Sequence, residues 1–171
     1  MTKLMAYGNG EPDVRPLHYT ACGLDDVYLV NGFTREKIDG EDTVTIVDMD
    51  GLWKAIGFAL ISRKALAPKE VRFLRRHMDL TQAELGAKLR VSDQTIARWE
   101  KGETPVPGPE DLLLRVLFSA SERAQPEGGK MLERVREILE GVQERDEPQH
   151  PMPITFRHKK KWEPEKELKY A

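Results

Sequence analysis

The fold is decided by the stretch Thr81-Gln-Ala-Glu-Leu-Gly-Ala-Lys-Leu-Arg-Val-Ser-Asp-Gln-Thr-Ile-Ala-Arg-Trp-Glu-Lys-Gly102. Thr81 followed by Glu84 is a capping box, a pattern with which helices begin. Ser92 is a suitable N-cap for a second helix, and a glycine such as Gly102 commonly ends one. Four apolar residues lie at the spacing of two helix faces that pack on each other: Leu85, Leu89, Ile96 and Trp99. The stretch therefore predicts two short helices joined by a tight turn.

The second of these helices carries its polar residues on the side away from the apolar ones. Its outward positions are Asp93, Gln94, Ala97 and Arg98, with Thr95 and Lys101 to the side. A helix held along its flank can place its first turn in the major groove of DNA. The paired donors and acceptors of Gln and Arg match the edges of adenine and guanine, respectively. The pattern therefore predicts a helix that reads DNA bases.

Further helices are predicted on both sides of this pair. An apolar repeat predicts one from Leu52 to about Arg63, and Pro68 begins the next. The inner face of this next helix is Val71, Leu74 and Met78. The helix that follows the prolines at 105, 107 and 109 is expected to bury Leu112, Leu113, Val116 and Leu117. A last, amphipathic helix has one apolar face made of Met131, Val135, Ile138, Leu139 and Val142.

The first fifty residues have the pattern of a small antiparallel β unit. Runs of strand-forming residues at 27–30 and 43–47 are separated by turn signals at Asn31-Gly32 and Asp39-Gly40. The predicted fold class is mainly α, and α+β overall, because a helical domain follows this unit. The predicted units are a β unit at 1–50, a helix-turn-helix domain at 51–120, an amphipathic helix at 121–145 and an extended or disordered basic tail at 146–171.

Charge is distributed unevenly along the chain, whose formal net charge is −2. Residues 1–50 carry four basic and ten acidic side chains, whereas residues 51–104 carry eleven basic and six acidic ones. The positive charge is therefore concentrated where the two short helices are predicted. A basic region of this kind is suited to the phosphate backbone of a nucleic acid.

Several classes of protein are excluded by what the sequence lacks. It has neither a run of about 20 apolar residues that could span a bilayer nor an apolar signal segment, so a cytoplasmic protein without a membrane partner is expected. A single cysteine, Cys22, excludes an internal disulfide and a multi-thiolate zinc site, and no metal or cofactor is predicted. Without a P-loop, a nucleophile elbow, a zinc-protease motif or a dinucleotide fingerprint, an enzyme is not expected.

The segment from about Ala67 to Leu117 resembles the Xre/Cro type of helix-turn-helix. The resemblance rests on Thr-Gln-x-Glu-Leu at 81–85 and on Ser-x-Gln-x-Ile-x-x-Trp-Glu-Lys-Gly at 92–102. It implies that Asp93, Gln94 and Arg98 read bases and that Gln82 clamps a phosphate. It also implies a structural ion pair between Arg75 and Glu100. Arg90 departs from the pattern, since the family commonly has glycine in this turn.

Other polar and basic residues are candidates for phosphate contacts. They are Thr95, Lys101, Arg72 and Arg76, followed by Arg63 and Lys64. For each single arginine or lysine outside the recognition helix, a solvated surface charge is the plainer interpretation. The run Lys159-Lys-Lys161 is open to two interpretations, added electrostatic affinity for DNA or a solubilising tail.

A looser resemblance concerns the whole arrangement of a β unit followed by this kind of reader. It is similar to MqsA-type antitoxins, and the phrase from His18 to Phe33 resembles the start of related Xre-type regulators. The zinc-binding cysteine pairs of those antitoxins are missing here, so zinc is not carried over.

The hypothesis for the function is a homodimeric repressor that binds a double-stranded operator and controls its own promoter. The alternative is an antitoxin whose acidic β unit binds a basic toxin protein. The dimer surface is either the last helix or the β unit.

Overall fold

The computed structural model describes residues 15–121, 131–143 and 153–165. The strands are β1 Leu17–His18, β2 Val27–Leu29, β3 Phe33–Ile38, β4 Glu41–Ile46, β5 Ile154–His158 and β6 Trp162–Glu165. The helices are α1 Met49–Ile61, α2 Pro68–His77, α3 Gln82–Leu89, α4 Asp93–Lys101, α5 Gly108–Ala120 and α6 Met131–Gln143. The α+β class is confirmed, with a β unit preceding the helix-turn-helix region. Of the predicted units at 1–50, 121–145 and 146–171, residues 1–14, 122–130, 144–152 and 166–171 lie outside the described residues.

The segment for which an extended or disordered basic tail is predicted contains two paired strands, β5 and β6. There, β5 pairs in parallel with β2, from Val27 opposite Ile154 to Leu29 opposite Phe156. The resulting four-stranded sheet has the order β1-β2-β5-β6. Phe156 is fully buried and Trp162 is 5% exposed. These two aromatic residues supply the apolar area that keeps an otherwise polar segment in the core.

The two predicted β runs do not pair with each other. β2 belongs to the four-stranded sheet, whereas β4 forms a separate antiparallel hairpin with β3, from Phe33 opposite Ile46 to Ile38 opposite Glu41. Asp39 and Gly40 connect the strands with φ of 52° and 85°, the left-handed turn that matches the twist of a two-residue hairpin. The sequence pattern missed β3 because its centre, Thr34 to Lys37, is polar and charged.

A buried ionic cluster connects the β unit to the start of α2. The Arg63 guanidinium contacts the Glu70 carboxylate and donates to Asp26 Oδ2 at 2.8 Å. Glu70 also accepts a hydrogen bond from the Ala67 N–H at 2.8 Å, and burial raises the pKa of its carboxyl group. Arg63 is only 8% exposed. Both interpretations of Arg63, a solvated surface charge and a phosphate contact, are therefore wrong, because the side chain is engaged inside the protein.

A second buried arginine sets the orientation of α5. Arg115 is fully buried, and its guanidinium donates to the main-chain oxygens of Ile61 at 2.9 Å, Lys64 at 3.2 Å and Arg63. Asp111 accepts from Arg115 Nε at 2.6 Å and balances the charge. Arg115 thereby satisfies carbonyl groups at the end of α1 that have no partner within the helix.

The face that α5 buries differs from the predicted one. Leu114 and Phe118 are fully buried, whereas Leu113 is 40% exposed. Leu112 and Leu117 are partly buried against the core, and Val116 is also half-buried. The prediction was wrong for Leu113 because a buried arginine was not anticipated. The buried face of α5 includes Arg115 and the adjacent Leu114, and Leu113 therefore lies toward solvent.

α6 packs against α5 with a narrower apolar face than the sequence indicates. Ile138 is 7% exposed, Val135 is half-buried, and Leu139 is 44% exposed. The side chains of Met131 and Val142 lie outside the described residues. Among the described residues, no helix has both the length and the apolar character that a membrane span requires.

Candidate nucleic-acid interface

The first helix of the candidate site, α3, begins at the predicted capping box. Thr81 Oγ1 accepts the N–H of Glu84 at 3.1 Å, and Glu84 Oε2 accepts the N–H of Thr81 at 2.7 Å. The hydrogen bond from the Thr81 main chain, followed by that from its hydroxyl, lowers the pKa of Glu84. The two bonds satisfy donors that a helix start otherwise leaves to water. The start of α3 is therefore fixed locally.

The turn after α3 brings two stretches of main chain into close contact. The Val91 N–H donates to the Gly86 carbonyl at 2.9 Å. A Cβ atom on Gly86 would lie 2.7 Å from the Val91 oxygen, a distance that a larger residue could not tolerate. Arg90 takes the left-handed conformation, with φ of 60° and ψ of 34°. The turn is thus as tight as predicted, but arginine adopts the conformation that glycine prefers.

The recognition helix, α4, is capped at both ends. At its start, Ser92 Oγ accepts the Thr95 N–H at 3.1 Å. At its end, Gly102 has φ of 75°, and the Glu103 N–H donates back to the Arg98 oxygen at 2.9 Å. This return bond beside a left-handed glycine is the usual way to satisfy the last carbonyls of a helix. The caps fix which residues of α4 lie in its first turn.

The inner side of the two helices is apolar and closed to water. Leu85 and Ile96 are fully buried, and Leu89 and Trp99 are 4% and 3% exposed. α4 also packs against α2, which buries Val71. Because its inner side is held in this way, α4 presents a fixed outer side to solvent.

The predicted base-reading residues lie together on that outer side. Asp93, Gln94 and Arg98 are exposed, and Ala97 is half-buried. Residues at these positions, one turn apart, share one face of a helix. Of the flanking residues predicted to contact phosphates, Thr95 is half-buried and Lys101 is exposed, 3.8 Å from Glu103 Oε1. Arg72 and Arg76 are exposed on α2.

Gln82, Arg75 and Glu100 form one hydrogen-bonded group that connects three helices. Arg75 Nη2 donates to Glu100 Oε2 at 3.0 Å, and Gln82 Nε2 donates to the same oxygen at 3.0 Å. Arg75 also donates to the Leu80 carbonyl at 2.8 Å. The Gln82 amide has two N–H donors, so one remains for a phosphate oxygen while the other binds Glu100. Arg75, in contrast, is directed into the protein.

Of the acidic groups on α3 and α4, Glu100 is paired with Arg75, whereas Glu84 and Asp93 accept hydrogen bonds from uncharged donors and keep their negative charge. Glu84 accepts from Thr81, Glu100 binds Arg75 and Gln82, and Asp93 accepts the Gln94 N–H at 2.8 Å. Lys88, Arg90 and Arg98 extend to solvent on these helices and their turn. Sequence analysis omitted Lys88 from the candidate site. Its position in the last turn of α3, two residues before Arg90, could have indicated Lys88 from the sequence.

Among the described residues, no three ligand-type side chains are grouped as a metal site would need. His18 Nε2 lies 2.6 Å from the Asp25 carbonyl oxygen, and Cys22 Sγ donates to the Tyr19 oxygen at 3.2 Å. Both side chains therefore serve local structure.

Comparison with known proteins matches the helical region. Residues 71–114 match the family model described as helix-turn-helix, the Xre/Cro type. The match begins within α2, includes α3 and α4, and ends within α5. No curated protein and no solved structure matched the chain. The comparison therefore supports DNA binding by this region and does not extend to the β unit.

Proposed function

Residues 71–114 form the helix-turn-helix domain of a DNA-binding transcription regulator, and from this premise we propose that the protein represses its own promoter. In this proposal α4 enters the major groove, where Gln94 and Arg98 contact base edges beside Asp93 and Ala97. The proposed phosphate contacts are Gln82, Thr95, Lys101, Arg72 and Arg76. The observation that carries the proposal is the exposed outer side of α4, which is held on a buried apolar inner side and has exposed basic residues at Lys88, Arg90 and Lys101 near its ends.

We further propose that the protein binds its operator as a homodimer. One recognition helix covers only a few base pairs, and a two-fold dimer places two of them about 34 Å apart on one side of the duplex. Exposed leucines support a helical dimer surface, because Leu113 on α5 is 40% and Leu139 on α6 is 44% exposed. Repression follows from occupancy, since a bound dimer excludes polymerase from the promoter.

The experiment that tests this function is a gel-shift titration on the DNA upstream of the gene. The purified chain is titrated against this DNA and against a scrambled duplex of equal length, each at two salt concentrations. We expect a discrete complex with the upstream DNA at nanomolar protein and weaker, steeply salt-dependent binding to the scrambled duplex. Equal, weak binding to both duplexes would contradict the proposal.

A second function, binding of a basic toxin protein, is favoured by one feature of the β unit. The hairpin β3–β4, the turn that follows it and the first residue of α1 expose four large apolar side chains: Ile38, Val44, Val47 and Met49. Residues 33–50 carry six acidic and two basic side chains. An acidic surface with exposed apolar residues is suited to a basic protein partner. A neighbouring open reading frame that is lethal alone and tolerated with this protein would support this function; its absence would leave a solitary regulator.

A further inference from the structure

The turn between α3 and α4 contains an arginine in a conformation that arginine rarely adopts. Four residues other than glycine have positive φ in the described part of the chain: Asp39, Asp48, Asp79 and Arg90. Aspartate tolerates the left-handed region because its short side chain can bond to nearby main chain. Arginine has no such compensation, and glycine at this position would remove the strain. Local folding therefore does not explain why Arg90 is present.

The surroundings of Arg90 do not explain it either. Its side chain is exposed, and no carboxylate forms an ion pair with it in the ranges that the structure describes. Its main-chain N–H donates to the Gly86 oxygen, a bond that any residue other than proline could form. Among the described residues, the guanidinium therefore forms no hydrogen bond or ion pair that would stabilise the folded state. Backbone strain that folding does not need is characteristic of functional positions.

The position of Arg90 indicates what the side chain contacts. It lies two residues before Ser92, the N-cap of α4, and so at the end of α4 that carries Asp93 and Gln94. A helix whose first turn enters the major groove has a phosphate strand on either side of it. A cation beside that first turn therefore faces phosphate oxygens, and a guanidinium can bind two of them at once. Lys88, also exposed, adds a second positive charge nearby.

We propose that Arg90 is a phosphate contact of the DNA complex and that its strained backbone is retained for this contact. The inference rests on the proposed function, because it assumes that the first turn of α4 enters the groove. It adds a contact that the helix-turn-helix resemblance does not supply, since glycine is the common residue in this turn. Stability and DNA affinity should therefore change in opposite directions when Arg90 is replaced by glycine.

The test compares Arg90→Gly, Arg90→Asn and Arg90→Lys with the wild type. We expect Arg90→Gly to raise the melting temperature and, because a homodimer loses two phosphate contacts, to weaken binding to the upstream DNA about 30-fold near 0.15 M salt. The slope of log affinity against log salt should become smaller by about 1.8, or about 0.9 for each protomer. Arg90→Asn should lose the same affinity, whereas Arg90→Lys should keep the slope. Because a phosphate contact carries no sequence information, affinity for scrambled DNA should fall by the same factor.

The matched control is Lys37→Ala, which removes an exposed cation of the β3–β4 hairpin whose side chain is 62% exposed. It should leave both the affinity and the salt slope unchanged. An Arg90→Gly variant that is more stable than the wild type but binds DNA as tightly would overturn the inference and leave the proposed function intact. A wild-type protein that binds upstream and scrambled DNA equally would overturn the proposed function. The Arg90 inference would then be decided by the salt slope of the scrambled duplex.

Discussion

Arg75 on α2 and Glu100 on α4 are joined by two hydrogen bonds, from Nε to Oε1 at 2.5 Å and from Nη2 to Oε2 at 3.0 Å. Their side chains are 12% and 4% exposed, so water screens the pair little. Gln82 at the start of α3 donates to the same carboxylate. The orientation of the recognition helix therefore depends on one carboxylate that is bound by the two helices before it.

Removal of Arg75 should destabilise the domain strongly. Arg75→Ala leaves Glu100 as a buried charge without its main partner, a change that costs about 3–5 kcal/mol in other proteins. We expect a loss of this size in the free energy of unfolding, measured by urea denaturation. Arg72→Ala, which removes an exposed arginine of the same helix, should stay within about 0.5 kcal/mol. Equal effects of the two substitutions would show that the pair does not hold α4.

Gln82→Ala should weaken DNA binding evenly across sequences. The free N–H of the Gln82 amide is assigned to a phosphate, and a phosphate contact carries no information about the base sequence. Affinity for the upstream DNA and for scrambled DNA should fall by a similar factor, measured by fluorescence anisotropy. A loss confined to the upstream DNA would instead mean that Gln82 contacts bases. Because Gln82 also binds Glu100, thermal melting of the variant is the control for folding.

The capping box of α3 should make stability depend on pH in the acid range. Hydrogen bonds from Thr81 lower the pKa of Glu84 in the folded protein. A lowered pKa means that the stabilisation is complete above the unfolded value, about 4.3, and is lost as pH falls through the folded value. We expect Glu84→Gln, which retains the capping bond without a titrating group, to flatten this part of the pH profile of unfolding. An unchanged profile would show that Glu84 does not contribute.

The helix-turn-helix could be predicted from sequence because its signals are local. Thr81 and Glu84 cap α3, Ser92 and Gly102 bound α4, and the apolar spacing indicates which sides are buried. Arg90 in the turn could be flagged as a departure from the pattern, although its left-handed conformation is a property of the folded chain. Neither the base-reading roles nor the phosphate contacts follow from these signals alone, since they depend on how DNA docks.

The four-stranded sheet could not be predicted, because it joins segments far apart in the chain. Val27 lies opposite Ile154, and no local pattern indicates a partner at that distance. The same limitation applies to buried charges. Arg63 was expected at the surface and Arg115 was not singled out, but each is buried by partners from another element: Glu70 and Asp26 for Arg63, and carbonyl groups at and just after the end of α1 for Arg115.

The role of the C-terminal strands can be tested at Phe156, which is fully buried in β5. We expect Phe156→Ala to cost about 3–5 kcal/mol of stability, because it removes a buried aromatic ring and leaves a cavity. Lys160→Ala, in the exposed turn that follows β5, should change stability by less than about 0.5 kcal/mol. Urea denaturation of both variants measures the difference. A negligible loss of stability in Phe156→Ala would show that this segment is not packed in the core.

Base reading by α4 is tested most directly by selecting binding sites from a randomised duplex library, with the wild type and Arg98→Ala in parallel. We expect the wild type to enrich a two-fold symmetric motif whose half-sites lie about one helical turn apart. Arg98→Ala should lose about 1–3 kcal/mol for each half-site and relax the preference at one position of each half-site. The absence of an enriched motif with the wild type, or the same motif and affinity with Arg98→Ala, would contradict the account.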